Sequence, residues 1–391
     1  MSTPRHYGDF QLEIYRNGLK GERPRLPMRM VDLEAAARAI LPPESYWYVA
    51  GGAGEATMRA NRDAFARYPI LPRMLTDVSR RDLQTDLFGH RYSTPLLLAP
   101  IGVQSIICTE AELAVSRAAR ELGVPQILST VSAHPLEQVA EALGDSPRWF
   151  QLYWPRSDAL AISMIQRAEA AGYQAIVVTL DTKMMAWRER DLTNSFLPFI
   201  RGQGLANYIT DPVFRDGLEA TPEADMLPAI RRWSQEFAAP GKTWRDLEAL
   251  RSATKLPILL KGIMHPEDAR QAVAHGADGL IVSNHGGRQV DGALAALDAL
   301  PMVRAAVGDA LPVLFDSGIR SGSDILKAKA LGANAVLLGR PYIWGLALAG
   351  SQGVVEVVQR LLADLDLSMA LAGCACFREV SHDLLAPASH G

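Results

Sequence analysis

Seven residues, Ser283-Asn284-His285-Gly286-Gly287-Arg288-Gln289, follow the apolar run Gly279-Leu280-Ile281-Val282. Histidine is the side chain most easily set to take a proton near neutral pH. The two glycines let the backbone approach a ligand closely, and an arginine three residues after the histidine can clamp a carboxylate with two N–H donors. A base and an anion clamp at one strand end suit proton abstraction from a small carboxylic acid. A surface turn whose histidine bonds only its neighbours would carry the same letters, so the surrounding elements must decide between the two.

Short apolar runs recur at 95–99, 126–129, 149–153, 175–179, 257–261, 279–283, 312–316 and 335–339. They do not alternate with polar residues, which suits strands buried on both faces of a parallel sheet. Helical patterns separate them. Ala161, Met164, Ile165 and Ala168 fall at i, i+3, i+4 and i+7 and form one apolar stripe, and Gly172, Gly276 and Gly332 read as helix ends. Eight such units predict a closed (β/α)8 TIM barrel within the α/β class. An open doubly wound sheet would show a G-x-G-x-x-G turn after its first strand, and none follows Ala99.

Residues 1–391 read as one domain: a helical cap over 1–90, the barrel over 91–366 and a tail over 367–391. Within the barrel, residues 191–242 form a long insertion after the fourth strand, with Pro198, Pro212, Pro222 and Pro240 spread through it. Loops of that length usually serve function, so the insertion reads as a lid over the barrel mouth, with a packed surface excursion as the alternative.

Composition narrows the partners. With 48% hydrophobic and 21% charged residues the chain is globular. A net charge of −3 argues against nucleic acid or an anionic membrane as the main partner. No apolar run reaches the roughly 18 residues of a membrane span. The opening Met1-Ser2-Thr3-Pro4-Arg5-His6 is not a signal peptide, so a cytoplasmic location is expected. Cys374-Ala375-Cys376 lacks the spacing and second ligand pair of a zinc site, so no metal is expected.

Barrels of this kind gather chemistry at the C-terminal ends of their strands. Those ends carry Ser129-Thr130, Gln151 and Tyr153, Thr179 and Asp181, Lys261, Ser283 to Arg288, Asp316-Ser317-Gly318 with Arg320, and Gly339-Arg340. Glycine-bearing loops after the seventh and eighth strands are the usual phosphate site. Gly318 and Gly339 can free backbone N–H groups there, while Arg320 and Arg340 add charge.

The stretch 283–289, with Gln151-Leu152-Tyr153, Thr179-Leu180-Asp181-Thr182, Asp316-Ser317-Gly318-Ile319-Arg320 and Gly339-Arg340-Pro341, resembles the FMN-dependent 2-hydroxy-acid oxidase and dehydrogenase family over nearly the whole chain. Within it the chain is most similar to the lactate 2-monooxygenase members. The similarity rests on Tyr48-Val49-Ala50-Gly51-Gly52, Leu98-Ala99-Pro100-Ile101-Gly102-Val103, the run from Asn207 to Arg215, and Leu314 to Gly318.

The resemblance implies FMN as cofactor. Its phosphate would lie against Gly318, Arg320, Gly339 and Arg340, with Asp316 on the ribityl hydroxyls and Ser317 beside it. Its ring would touch Pro100, Ile101, Gly102, Ser129, Gln151, Thr179 and Ser283, with Lys261 near N1. His285 would be the base and Asp181 its orienting carboxylate. Arg188, Arg288 and Tyr48 would hold the substrate carboxylate, and Tyr153 the substrate hydroxyl oxygen.

The expected reaction is oxidation of a small L-2-hydroxy acid such as lactate with O2 as acceptor, the keto acid then being decarboxylated before release. Gly102 and the insertion carry that expectation of a monooxygenase. An oxidase releasing keto acid and hydrogen peroxide is the first alternative. A non-redox isomerase or aldolase using Lys261 as a Schiff base, and a flavin-binding scaffold without activity, are the others. Two departures, Val131 and Lys183-Met184-Met185-Ala186, lie near the expected pocket and point to a larger or more apolar acid than lactate. The family resemblance also implies a homo-oligomer, a tetramer or octamer.

Overall fold

Apolar strands with no polar face can be buried only if the sheet closes on itself and helices cover its outside. The computed structural model, which describes residues 6–386, shows this arrangement. Residues 1–5, at the expected non-signal N-terminus, and 387–391, the end of the expected tail, lie outside the described residues. Strands β1 (Thr85–Leu87) and β2 (His90–Tyr92) form an antiparallel hairpin. Strands β3 (Leu96–Leu98), β4 (Gln126–Ser129), β5 (Arg148–Tyr153), β6 (Ile176–Thr179), β7 (Ile258–Lys261), β8 (Gly279–Val282), β9 (Val313–Phe315) and β10 (Ala335–Leu338) form a closed parallel barrel. β10 pairs back onto β3 with Val336 opposite Leu96.

Inside the barrel, Leu97, Ile127, Trp149, Val177, Leu259, Ile281, Leu314 and Leu337 form one buried cluster. Side chains alternate along a strand, so the residue two positions on faces inward as well. Those next inward residues are Ala99, Ser129, Gln151, Thr179, Lys261, Ser283, Asp316 and Gly339, six of the eight polar. An apolar interior is thus topped by one polar layer at the C-terminal ends. Strand register keeps that layer level, since Ser129 lies opposite Gln151 and Thr179 opposite Lys261.

The other end of the barrel is stopped. Leu87, Phe88 and Tyr92 of the hairpin join the interior cluster, and the rings of Phe88 and Tyr92 meet Trp149 edge-on at 5.7 and 6.3 Å. This hairpin falls at the boundary of the segment expected to be helical. That segment otherwise contains helices Asp9–Gly18, Met30–Ile40, Pro43–Ala50 and Ala56–Asp63. The final helix, Arg340–Leu371, runs past the expected barrel boundary at 366, because it keeps burying residues such as Leu365 and Met369.

The insertion is a packed layer rather than a loose flap. Asn207 is fully buried, donating to the carbonyls of Ser129 and Thr130 while accepting from the Leu136 N–H at 2.8 Å. Phe199, Trp233 and Phe237 pack ring to ring at 4.5–6.1 Å. Among the described residues no helix is long and apolar enough to cross a membrane, and no group of histidine, cysteine and acidic side chains is placed to hold a metal ion.

Candidate active site

The loop after β8 turns left-handed at three consecutive residues, His285, Gly286 and Gly287, with φ of 59°, 66° and 78°. Glycine accepts this without cost, but a histidine there is held by its surroundings. The Ser283 hydroxyl accepts the His285 N–H at 3.0 Å, and the Ser317 hydroxyl accepts the Gly286 N–H at 3.0 Å. Asn61 and Asn284 exchange two side-chain hydrogen bonds of 2.8 Å, and Ala53 N–H donates to the Gly287 carbonyl at 2.9 Å. The N-terminal helices therefore clamp the histidine loop from outside the barrel.

His285 Nδ1 lies 2.7 Å from Asp181 Oδ1, which also accepts the Thr182 hydroxyl at 2.8 Å. Burial alone would push the Asp181 carboxyl up, but the facing His285 and Lys261 and these hydrogen bonds hold it down to about 2. Burial lowers the His285 pKa below its usual 6.5 despite Asp181. The resting pair is an ionised aspartate accepting Nδ1–H from a neutral imidazole, which leaves the Nε2 lone pair free to take a proton.

Lys261 is buried, donates to the Ser283 hydroxyl at 2.9 Å, and lies 3.3 Å from Asp316 and 4.0 Å from Asp181. Burial opposes its charge, yet the two aspartates raise its pKa and keep it an ammonium. Beneath it, Ser129 donates to Gln151 Oε1 at 3.1 Å and Gln151 Nε2 donates to the Thr179 hydroxyl at 3.0 Å. Ser129, Gln151 and Thr179 thus form one bonded row, Ser283 bonds instead to Lys261, and all four are buried.

A cleft of about 1100 Å³, counting its open mouth, opens at the C-terminal ends of the strands. Tyr48, Tyr153, Arg188, His285 and Arg288 line it, as do Gly318, Arg320, Gly339 and Arg340, and the Arg288 and Arg340 guanidiniums meet at the Gly51 carbonyl, at 2.7 and 3.0 Å. Pro100, Ile101, Gly102, Lys261, Asp316 and Ser317 also line it. Most residues expected from sequence meet in this cleft, from position 48 to 340, but Ser129, Gln151, Thr179, Asp181 and Ser283 do not line it, and Thr179 and Asp181 line a neighbouring cavity. Val131 and Met185, expected near the pocket, line it, and the structure adds Thr182, Phe199 and Phe237. Phe199 and Phe237 come from the insertion, where no periodicity marks which aromatic faces inward.

Arg188 donates to the Arg288 carbonyl at 3.2 Å and to Gln289 Oε1 at 2.9 Å, and Gln289 Nε2 donates to the Asp181 carbonyl at 2.7 Å. Gln289 therefore couples the clamp to the base, a role the motif contained but did not reveal. Arg288 donates to the Gly51 carbonyl at 2.7 Å and sits over the Tyr48 ring. Burial and the neighbouring Arg188 lower the Arg288 pKa to about 10, so the pair calls for an anion. Asp191 is 3.9 Å from Arg188 and 4.0 Å from Arg288, close enough to share their charge but too far to hydrogen-bond. Its position three residues after Arg188 was the available signal. Replacing Asp191 with asparagine should lower KM for an anionic substrate several-fold and leave kcat nearly unchanged, as steady-state kinetics would show.

Arg320 and Arg340 mark an anion site by their charge balance. Burial and repulsion from neighbouring arginines lower the pKa of Arg320 to about 10 and of Arg340 to about 9. A Cβ added to Gly339 would meet only Ile101, at 3.8 Å, so its backbone is open to the cleft. The two arginines and the open Gly339 backbone fit a phosphate, and the cleft has room for a flavin.

Gly102 has a reason of its own. A Cβ there would stand 2.4 Å from Val131 Cγ2 and 2.7 Å from the Val131 carbonyl oxygen. Gly102→Ala should therefore displace the Val131 loop, destabilise the protein by about 1–3 kcal/mol in urea unfolding and weaken FMN retention.

The comparisons agree with this architecture. Residues 37–387 match the model of the FMN-dependent dehydrogenase family. The chain is 48% identical over 348 residues to an L-lactate oxidase of Lysinibacillus sphaericus, covering 89% of each protein. It is 43% identical over 387 residues to an FMN-dependent alpha-hydroxy acid dehydrogenase of Penicillium citrinum, covering 98% of this chain and 96% of that protein. A crystal structure of a mandelate oxidase superposes with a TM-score of 0.80 at 43% identity, over 90% of this chain and 96% of that one. The chain belongs to the family of FMN-dependent 2-hydroxy-acid oxidases and dehydrogenases.

Proposed function

We propose that the protein oxidises an L-2-hydroxy acid carrying an apolar side chain larger than a methyl group, with O2 as electron acceptor. The observation that carries this reading is the neutral His285, bonded to an ionised Asp181, facing the same cleft as the arginine pair. Arg188 and Arg288 hold the substrate carboxylate, and Tyr48 packs beneath Arg288. Fixing the carboxylate places the substrate hydroxyl between Tyr153 and His285, whose rings lie 6.5 Å apart. His285 Nε2 takes the hydroxyl proton, and Asp181 stabilises the imidazolium. FMN, held through Gly318, Arg320, Gly339 and Arg340, supplies the acceptor for the two electrons leaving C2. Lys261 places a positive charge beside the floor of the cleft, where negative charge would develop.

Val131, Met185, Phe199 and Phe237 give the cleft apolar surface. A methyl group would leave much of that surface uncovered, whereas a phenyl or branched alkyl group would bury it. The relatives include a 4-hydroxymandelate oxidase of Amycolatopsis orientalis, 45% identical over 346 residues, 88% of this chain and 94% of that protein. Release of the keto acid and hydrogen peroxide is the outcome favoured here, because Val131 accounts for Gly102 without any role in decarboxylation. Oxidative decarboxylation stays as a second reading, supported by the packed insertion walling the mouth.

Anaerobic addition of L-lactate, (S)-mandelate and L-phenyllactate to the yellow protein, followed by oxygen and product assay, tests the reading. The aromatic acids should bleach the flavin with lower half-saturation than lactate and then give keto acid and peroxide. A flavin that none of them bleaches would overturn the proposal. The rate of bleaching should hold constant from pH 8 down past 6.5, falling only below that value, since burial lowers the His285 pKa.

A further inference from the structure

Glu112, in the helix Ala111–Leu122, is fully buried and has no part in the chemistry above. One carboxylate oxygen accepts the Gln104 N–H at 3.3 Å, and the other accepts the Ala133 N–H at 3.1 Å. These two amides belong to different loops, one following β3 and one following β4. Between them Val103 N–H donates to the Val131 carbonyl at 2.7 Å, with Val103 itself left-handed at φ 55°. Gln104 extends the link by donating to the Ile101 carbonyl at 2.9 Å. Ile101, Gly102 and Val131 are the faces these loops turn toward the cleft, and Gly102 touches Val131 so closely that not even a methyl group fits.

We propose that Glu112 is a positioning residue: by bridging the two loops it fixes the Gly102–Val131 contact that forms one wall of the flavin cleft. The inference rests on the FMN site described above. A carboxylate suits the task because two backbone donors from opposite loops need an acceptor at each end. A glutamine would offer one acceptor and turn an NH2 group toward the other donor. Burial pushes the Glu112 carboxyl up to about 7, with the backbone hydrogen bonds opposing that shift. Among the described residues the titratable group facing it is Tyr342 of the last helix, whose phenol burial raises and keeps neutral. The bridge therefore has both acceptors above neutral pH and carries a proton at one of them below it.

The test uses the FMN-loaded full chain without substrate. The visible absorbance of bound FMN, titrated from pH 6.5 to 8.5, above the range in which His285 takes a proton, should show one inflection near neutrality in the wild type, and Glu112→Gln should abolish it while still binding FMN. Amide exchange in the wild type, corrected for intrinsic rates, should show several-fold greater protection of the peptides containing Gln104 and Ala133 at pH 8 than at pH 6. This second measurement decides the matter if the variant does not fold. A wild-type spectrum flat across the range, an inflection that persists in Glu112→Gln, or equal protection at both pH values would overturn the proposal. Bleaching by hydroxy acid is read separately, so failure of the function and failure of this role are distinguishable.

Discussion

Replacing His285 with glutamine should leave FMN bound and slow its anaerobic reduction by the hydroxy acid by about 10²–10⁴-fold, the usual contribution of a positioned base. FMN should stay because Gly318, Arg320, Gly339 and Arg340, proposed above to hold its phosphate, do not depend on the imidazole. The side-chain amide can still donate to Asp181, so the Oδ1 acceptor, now met at 2.7 Å, keeps a partner. What disappears is the lone pair at Nε2. The residual rate should also lose its fall at low pH, because no group in the variant takes that proton. Stopped-flow absorbance at several pH values measures both effects, and reduction at the wild-type rate would remove His285 from its role as base.

Lys261→Met should be the most destabilising single change in the site. The ammonium is buried beside Asp316 at 3.3 Å and Asp181 at 4.0 Å, and methionine fills the same space without charge. Removing one partner of a buried ionic set leaves the rest uncompensated, at a cost of about 3–5 kcal/mol. The pH dependence gives a second check. In the wild type Asp181 is held down to about 2 from an ordinary 3.8, so it contributes stability above pH 3.8 that is lost as pH falls toward 2. Without Lys261 the folded-state carboxyl moves upward, and the variant should lose less stability than the wild type over that acidic interval. Urea unfolding at pH 7 and at acidic pH would read both effects, and an unchanged midpoint would contradict the charge balance assigned to the site.

Much of this site was legible in the sequence because the barrel compresses it into strand ends. All eight barrel runs fell where strands occur, and of the polar residues that close them Tyr153, Lys261, His285, Arg288, Asp316, Arg320 and Arg340 line one cleft. Parity along each strand was not legible. Strands buried on both faces show no alternation, so nothing in the letters separated the inward Leu97 from the outward Leu96 and Leu98. The hairpin at Thr85–Tyr92 was missed because its two strands are three residues each, shorter than a periodic pattern needs. Phe199, Phe237 and Glu112 were missed for a related reason. Their roles come from contacts between segments far apart in the chain, and a buried glutamate inside a helical pattern reads as an ordinary surface charge.

The stoppered base of the barrel makes the cleft a cul-de-sac. With Phe88 and Tyr92 wedged against Trp149, the barrel's base is closed to ligands, so under the proposed reaction hydroxy acid, oxygen and keto acid share the side of the C-terminal strand ends. Traffic through a single doorway is a queue, so the fate of the keto acid becomes a race between its departure and the arrival of oxygen. Under the second reading, in which the keto acid is decarboxylated before it leaves, widening the doorway at Met185 or Phe237 should shift the products toward intact keto acid and peroxide without touching a group that handles protons or electrons.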